Sequence, residues 1–286
     1  MINEDLVSVV IATLGGEFLK CTLEHLNSSN LRPHEILICI PELEASKLDP
    51  TLADNVRIVI TPKRGQVSQR AHGLGLVKCE FVMQIDDDVF LKPDAIGLLI
   101  NAIKNTGRCS AVAPLFKDCS TGDYVTRYRN NLKGVSKNLI ATVIGGAPWG
   151  KRRMGRIDKA GIPYSIDHAF CNLNRLISVE WVPGGCVLTR RVDLIDVDYF
   201  PFEGKAFSED VIHSLLWRQR GVRLFVAPNV SVCTHISHAA LNKNGIRADF
   251  EARKHVVSLM SGSLWRCRLW YYWCRLRLII QSIYKI

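Results

Sequence analysis

Ten cysteines are present, but the chain lacks any Cys-x-x-Cys pair and any cysteine–histidine spacing of the zinc type. That excludes a zinc ribbon or finger as the organising element. Cys39, Cys79, Cys186 and Cys233 instead lie inside apolar runs, where a thiol behaves as a small hydrophobe. No apolar stretch reaches the roughly twenty residues that a membrane-spanning helix needs. The first five residues, Met1-Ile2-Asn3-Glu4-Asp5, lack the basic start of a secretory signal. Together these absences read as a reduced, cytoplasmic protein. Acids are also short: 27 against 37 Lys and Arg, a formal charge of +10. The stretch from Arg127 to Lys159 carries Arg129, Lys133, Lys137, Lys151, Arg152, Arg153 and Arg156, with Asp158 its only acid. A second basic cluster lies in the last thirty or so residues. Such clusters suit phosphate, nucleic acid or anionic lipid.

What is there is an ordinary core. Apolar residues make up 48% of 286, enough for one large domain or two small ones and too many for a disordered chain. Leu6 to Thr13 is a nearly continuous β-branched run, the mark of a buried parallel strand. Gly15-Gly16 turns the chain, and Phe18, Leu19, Leu23 and Leu26 have helical spacing. Residues 35–40 and 56–61 read as two more strands, and 66–78 as a helix. An apolar run ending at Asp86 reads as a fourth strand, and 94–105 as a helix. Alternating strands and helices predict a doubly wound, mainly parallel α/β sheet. Beyond residue 110 the pattern weakens. Residues 118–163 read as a basic, Gly-rich segment with a mobile loop at 145–150. Residues 110–116, 176–181 and 186–189 read as strands. Ser208 is a candidate N-cap for a helix through Arg220, followed by two short strands, 223–227 and 230–234.

The centre of the chain is Phe81-Val82-Met83-Gln84-Ile85-Asp86-Asp87-Asp88. Three adjacent carboxylates suit either a solvated loop or a divalent cation shared with a phosphate-bearing ligand. Strand alternation would turn Asp86 and Asp88 one way and Asp87 the other. Ligands of such sheets bind beyond the carboxyl ends of the strands. Thr13, the Pro41-Glu42 pair, the Lys63-Arg64-Gly65 turn and Asp86 to Asp88 all fall at those ends, which favours a metal–phosphate site.

Further motifs follow in order. Arg64-Gly65-Gln66-Val67-Ser68-Gln69-Arg70 precedes the triplet. Pro183-Gly184-Gly185-Cys186-Val187-Leu188-Thr189-Arg190-Arg191 and Glu209-Asp210 come after it. Their order and spacing, over roughly Val7 to His235, resemble the family 2 glycosyltransferases, which have the GT-A fold. The resemblance implies that Asp88 holds Mn2+ or Mg2+, with Asp86 shared between cation and ribose and His235 facing the diphosphate or the metal. It places Thr13, Glu42, Arg64, Arg70, Asp86 and Asp87 on the nucleotide-sugar donor. Gly184, Gly185 and Glu209 fall on the acceptor side, and Asp210 is the base that takes the acceptor hydroxyl's proton. A helix start favours the ionised carboxylate, so this base is expected to lose basicity there. A single displacement implies inversion at the sugar. His238 is a weaker candidate for the metal or diphosphate.

Two departures narrow the reading. Family members carry one or two aspartates after the second strand, where Pro41-Glu42 stands here. The Gln-x-x-Arg-Trp motif of processive synthases is missing, and Trp217-Arg218-Gln219-Arg220 does not match it, so transfer of a single sugar is expected. The tail from Ser258 mixes Trp265, Trp270, Tyr271, Tyr272 and Trp273 with Arg266, Arg268, Arg275 and Arg277. On a helix its arginines do not share a face, yet such mixtures suit an anionic membrane surface. Packing on the domain or on a second copy is the alternative. The basic cluster has few aromatics and no recognition motif, which argues against nucleic acid. The expected organisation is a GT-A domain over 1–240, divided into a nucleotide-sugar half (1–116) and an acceptor half (117–240), then a basic aromatic segment (241–286). The acceptor would belong to a cell-surface glycan or lipid-linked saccharide. Two rival classes remain. One is a nucleotidyltransferase, which the lack of a base in Thr13-Leu14-Gly15-Gly16-Glu17 disfavours. The other is a non-catalytic membrane adaptor.

Overall fold

The computed structural model describes residues 5–48, 52–128, 131–202, 206–236 and 242–283. The β-branched runs form strands because both of their faces are covered. Along β1 (Val7–Ala12), Val7, Val9 and Ile11 join one core and Val10 another. Helices α1 (Leu19–Asn27) and α3 (Ala95–Lys104) cover the first face, through Leu19 and Leu26 and through Ile96, Leu99, Ile100 and Ile103. Helix α2 (Gln66–Leu74) covers the other. Strands β2 (Glu35–Pro41), β3 (Val56–Thr61) and β4 (Phe81–Asp86) pair in parallel with β1 in the order β3-β2-β1-β4. In this register Ala12 faces Asp86, so Thr13 and the aspartate triplet emerge at one edge.

Beyond β4 the sheet becomes mixed. β8 (Cys186–Arg190) runs antiparallel to β4 and to β6 (Ser110–Asp118), and β6 is parallel to β9 (Arg223–Thr234). The short β5 (Val89–Phe90) and β7 (Ile177–Val179) both pair antiparallel with β9. The two strands expected at 223–227 and 230–234 are one, β9, whose pairing with β6 shifts register after Pro114. Proline has no N–H to give the ladder, which accounts for the break.

The basic, Gly-rich segment over 118–163 contains helix α4 (Leu132–Ile140), capped by the Asn131 side chain on Gly134 N–H and continued by a π-helical turn that ends at Gly145, where the expected mobile loop begins. Gly145 packs directly against the buried Asp158 carboxylate. That carboxylate in turn accepts from Ala160 N, Ile162 N and the Tyr164 hydroxyl. Helix α5 (Glu209–Gln219) begins after Ser208, which has φ 55° and makes no side-chain cap. Helix α6 (Lys243–Leu259) packs on α5 and on α7 (Leu264–Ile283). Cys119 and Cys233, 114 residues apart, pair as a disulfide with Cα atoms 5.2 Å apart. The sequence reading has only reduced thiols, because nothing in the spacing marks so distant a pair. No helix among the described residues is long and apolar enough to cross a membrane.

Helix α2 lies close on the sheet because Gly73 has no side chain. A Cβ there would stand 2.3 Å from Cys39 Sγ and 2.8 Å from Val10 Cγ1. Gly73→Val should therefore destabilise the fold by about 1–3 kcal/mol, against the usual gain in helix propensity over glycine. Urea unfolding of the variant and the wild type measures the difference.

Candidate active site

Strand β4 ends at Asp86, and Asp87 and Asp88 belong to the turn that follows. Alternation therefore stops at Asp86, and the three carboxylates take three sets of partners. Asp86 Oδ1 accepts from Gln66 Nε2 at 3.1 Å and is ion-paired with Arg70. Asp87 accepts from the Thr13 hydroxyl, which itself accepts from Gly15 N–H at 3.0 Å. Burial is the main force pushing the Asp87 carboxyl up, and the neighbouring Asp86 charge adds to it. Asp88 is pushed up to about 6 by burial, then by Asp86 and Asp87, with His235 acting in the opposite direction. His235 stacks on Phe18 at 4.4 Å and meets Phe90 edge-on at 5.6 Å.

Arg70 joins this cluster to the far half of the sheet. Its side chain is 3% exposed, and its Nη1 donates to Glu209 Oε1 at 2.7 Å while Nη2 holds Asp86. Glu209 also accepts from the Tyr199 hydroxyl at 3.1 Å. Gly184 and Gly185 pass between these groups. A Cβ on Gly184 would stand 2.7 Å from Glu209 Oε1, and one on Gly185 would stand 3.0 Å from Asp86 Oδ2. Only glycine lets the backbone through here, and it is held in place by Gln84 Nε2 donating to Gly184 O and Asp86 N–H donating to Gly185 O. Arg70, Asp86, the two glycines and Glu209-Asp210 thus form one constellation from four stretches of chain.

Asp210 follows Glu209 on the first turn of α5, and its Oδ1 accepts from Val211 N–H at 2.8 Å. Its pKa is pushed up to about 7, by burial first and by the Glu209 charge second. This reverses the expected loss of basicity at a helix start, because desolvation outweighs the helix dipole. Behind it, His213 stacks on Trp217 at 3.8 Å and is pushed down to about 3 by burial, so it is neutral.

Other candidates lie elsewhere. Arg70 sits beneath the rim as an internal counter-ion. Arg64 is exposed and pairs with Glu44 at 3.4 Å. Glu42 is exposed on the 3-10 turn after β2, while Glu44 also pairs with Lys47, whose chain packs on Gly15. His238 lies outside the described residues. Tyr199, Gln66 and Phe116, the last packed against Gly185, were not legible as site residues. Tyr199 stands in a loop without periodicity, and nothing in its neighbourhood signals a carboxylate partner.

Among the described residues no three His, Cys, Asp or Glu side chains are close enough to enclose a metal ion. Asp86 and Asp88 are the hard carboxylates there and His235 the nearby imidazole, but the three do not converge on one point. Such a sparse set fits a cation that keeps water and phosphate oxygens in its shell, as Mg2+ typically does.

The glycosyl transferase family 2 model matches residues 43–181, a span from the turn after β2 through the aspartate triplet to just before Pro183. No curated protein matches the chain by sequence. Two solved structures share its fold. GalNAc-T7 with UDP, GalNAc and Mn2+ aligns with TM-score 0.61 and 14% identity, over 86% of this chain and 48% of that one. TarS 1–349 of S. aureus aligns with TM-score 0.51 and 15% identity, over 89% of this chain and 64% of that one. The chain thus spans about half of the first structure and under two thirds of the second. The family 2 glycosyltransferase match covers just under half of the chain, and the two solved structures share its fold.

Removing Arg70 would leave two acids unpaired in a largely dry place. Arg70→Met should destabilise the protein by about 3–5 kcal/mol, as loss of one partner of a buried ion pair does. Combining it with Glu209→Gln should recover part of that loss. A double-mutant cycle by urea denaturation checks both.

Proposed function

We propose that the protein transfers one sugar from a nucleotide-diphosphate sugar to an acceptor hydroxyl, with inversion at the sugar. The carrying observation is the Arg70 bridge, which holds Asp86, at the end of β4, and Glu209, next to Asp210, on one guanidinium. A donor-side carboxylate group and a candidate base therefore share one rigid frame.

In this reading the 1–116 half binds the donor, through Thr13, Asp87 and Asp86 at the strand ends and Glu42 and Arg64 at the rim. Arg70 contributes by fixing Asp86, and its buried Nε has no hydrogen-bond partner among the described residues. Asp88, with Asp86 or His235, would hold Mn2+ or Mg2+, the rest of the ion's shell being water and diphosphate oxygens. Such a cation supplies positive charge where the diphosphate departs. The 117–240 half presents the acceptor. Gly184 and Gly185 allow it to approach the backbone, Glu209 orients the frame, and Asp210 takes the hydroxyl proton. A base with a pKa near 7 is half ionised at neutral pH, where proton abstraction is most effective. The absence of the processive motif supports transfer of a single sugar, and a cell-surface glycan or lipid-linked saccharide fits as the product class.

The C-terminal helix adds a cytoplasmic-face, peripheral membrane location to the proposal. Trp265, Leu269, Tyr272, Leu276 and Ile279 are all exposed on α7. At about 100° per residue they form a single stripe. Arg268 and Arg275 border it on one side, and Arg266 and Arg277 on the other. The opposite face packs on the domain, through the buried Cys267 and through Tyr271 stacked on Phe250 at 4.4 Å. The scattered arginines are therefore the two margins of an apolar stripe, and α7 has no acidic residue to repel anionic lipid.

Donor turnover with Mn2+ or Mg2+ and with chelator tests the catalytic reading. The base must be ionised, so kcat/KM should fall as pH drops below about 7, the value to which burial and Glu209 raise Asp210. Asp210→Asn should lose at least about a hundredfold in kcat, the scale of a removed general base. Normal turnover in that variant removes Asp210 from the mechanism. Co-sedimentation with anionic but not zwitterionic vesicles tests the α7 surface. Trp265→Glu with Leu276→Glu should abolish it, and concentration-dependent dimerisation in its place would assign the stripe to a second copy.

A further inference from the structure

A cavity of about 1160 Å3 lies away from the aspartate triplet, between α4, the 150–165 segment and α7. Its lining carries Arg127, Lys137, Lys151, Arg153 and Arg277 against one carboxylate, Asp123, and Arg127 already pairs with that one. Arg153 is the informative member. It is 6% exposed, and its guanidinium is held between the Tyr128 and Tyr164 rings at 5.0 and 4.9 Å. Its Nε and Nη1 are buried with no hydrogen-bond partner among the described residues, and the same is true of Trp270 Nε1 across the cavity. Burying a full charge with unmet donors is costly unless an acceptor fills them. Arg153 Nε and Nη1 and Trp270 Nε1 are thus three unmet donors on residues that line one cation-rich space.

A neighbouring cavity borders both that space and the segment next to the candidate active site. This second cavity, of about 330 Å3, shares Tyr124, Val125, Thr126, Tyr164 and Ser165 with the first and reaches Pro183 and Thr234, the neighbours of Gly184 and His235. Its lining is mostly apolar, with Leu115, Phe116, Ile166 and Trp181 among its walls. A molecule spanning the two cavities would have its reacting hydroxyl by Gly184, an uncharged body over the apolar stretch, and a negative group at Arg153.

We propose that the large cavity is a phosphate-binding site for the acceptor, centred on Arg153 with Trp270, Lys137 and Arg277, so that the acceptor carries a phosphodiester or diphosphate remote from the hydroxyl that is glycosylated. This rests on the transferase reading for the word acceptor, but the anion site itself stands on the orphaned donors. Guanidinium and lysine suit phosphate oxygens. Because α7 supplies Trp270, Trp273 and Arg277 to the wall, the helix that borders the membrane stripe also shapes the site.

Calorimetric titration of the full chain in chelator, with inorganic phosphate, glycerophosphoglycerol and farnesyl diphosphate, tests it. The chelator suppresses diphosphate binding at the aspartate triplet. At least one probe should bind, and its identity separates a free phosphate, a phosphodiester glycan and a lipid diphosphate as the source. Arg153→Gln should weaken that binding about tenfold or more, as loss of a charge-assisted hydrogen bond does. Because Arg153 is buried, Lys137→Gln, at an exposed position, provides a second variant that should also weaken binding. No binding of any probe, or binding that both substitutions leave unchanged, overturns the anion site whatever the transferase assay gives. Arg153-dependent binding without any nucleotide-sugar turnover would overturn the catalytic reading and leave the anion site standing.

Discussion

The arrangement depends on one buried guanidinium. Arg70 is placed under the rim by α2, which can approach the sheet only because Gly73 leaves room for Cys39 and Val10. From there it holds Asp86 and Glu209 at once. Two carboxylates brought together in a dry place repel each other and would otherwise protonate or turn to solvent. Arg70 removes that repulsion and joins the parallel half of the sheet to the first turn of α5. The charge that Arg70 does not neutralise remains on Asp87, Asp88 and Asp210, and burial pushes each of these carboxyls up.

That frame explains why glycine stands at 184 and 185. The segment entering β8 runs between the Arg70–Glu209 pair and Asp86, where a methyl group would meet carboxylate oxygens at 2.7 to 3.0 Å. Sequence spacing shows only two glycines, and the usual reading of such a pair is a turn. Here they are a close passage, with Gly184 buried and its carbonyl accepting from Gln84 Nε2. A cavity lined by Pro183, next to this passage, shares Tyr124 to Thr126, Tyr164 and Ser165 with the basic cavity lined by Arg153.

Much of the fold was legible because local rules decide it. The β-branched runs at 7–12, 35–41 and 56–61 and the helical spacing at 19–27 and 95–104 state their structure directly, since each element must bury a defined face. The segment after residue 118 was not legible. Its helix α4 has glycine, serine and lysine at its turns, and it is held by tertiary contacts, among them Gly145 on Asp158 and Arg266 donating to the carbonyls of Val143 and Ile144. The tail misled for a related reason. Counting arginines by face missed that one face of α7 packs on α6, which turns scattered charges into the borders of an apolar stripe.

By itself, the sequence determined the strand–helix alternation, the position of Asp86 to Asp88 at a strand end, and the order of motifs that points to the family. These follow from backbone periodicity and from the polarity of short segments, which are local properties. Only the tertiary structure decided that Arg70 is an internal counter-ion, that Tyr199 completes the Glu209 contacts, that burial overrides the helix dipole at Asp210, and that Arg153 lies buried with unmet donors. Each of these depends on which groups share a low-dielectric space and which lose their water. Residues 16 and 139 positions apart meet there, and no local pattern records it.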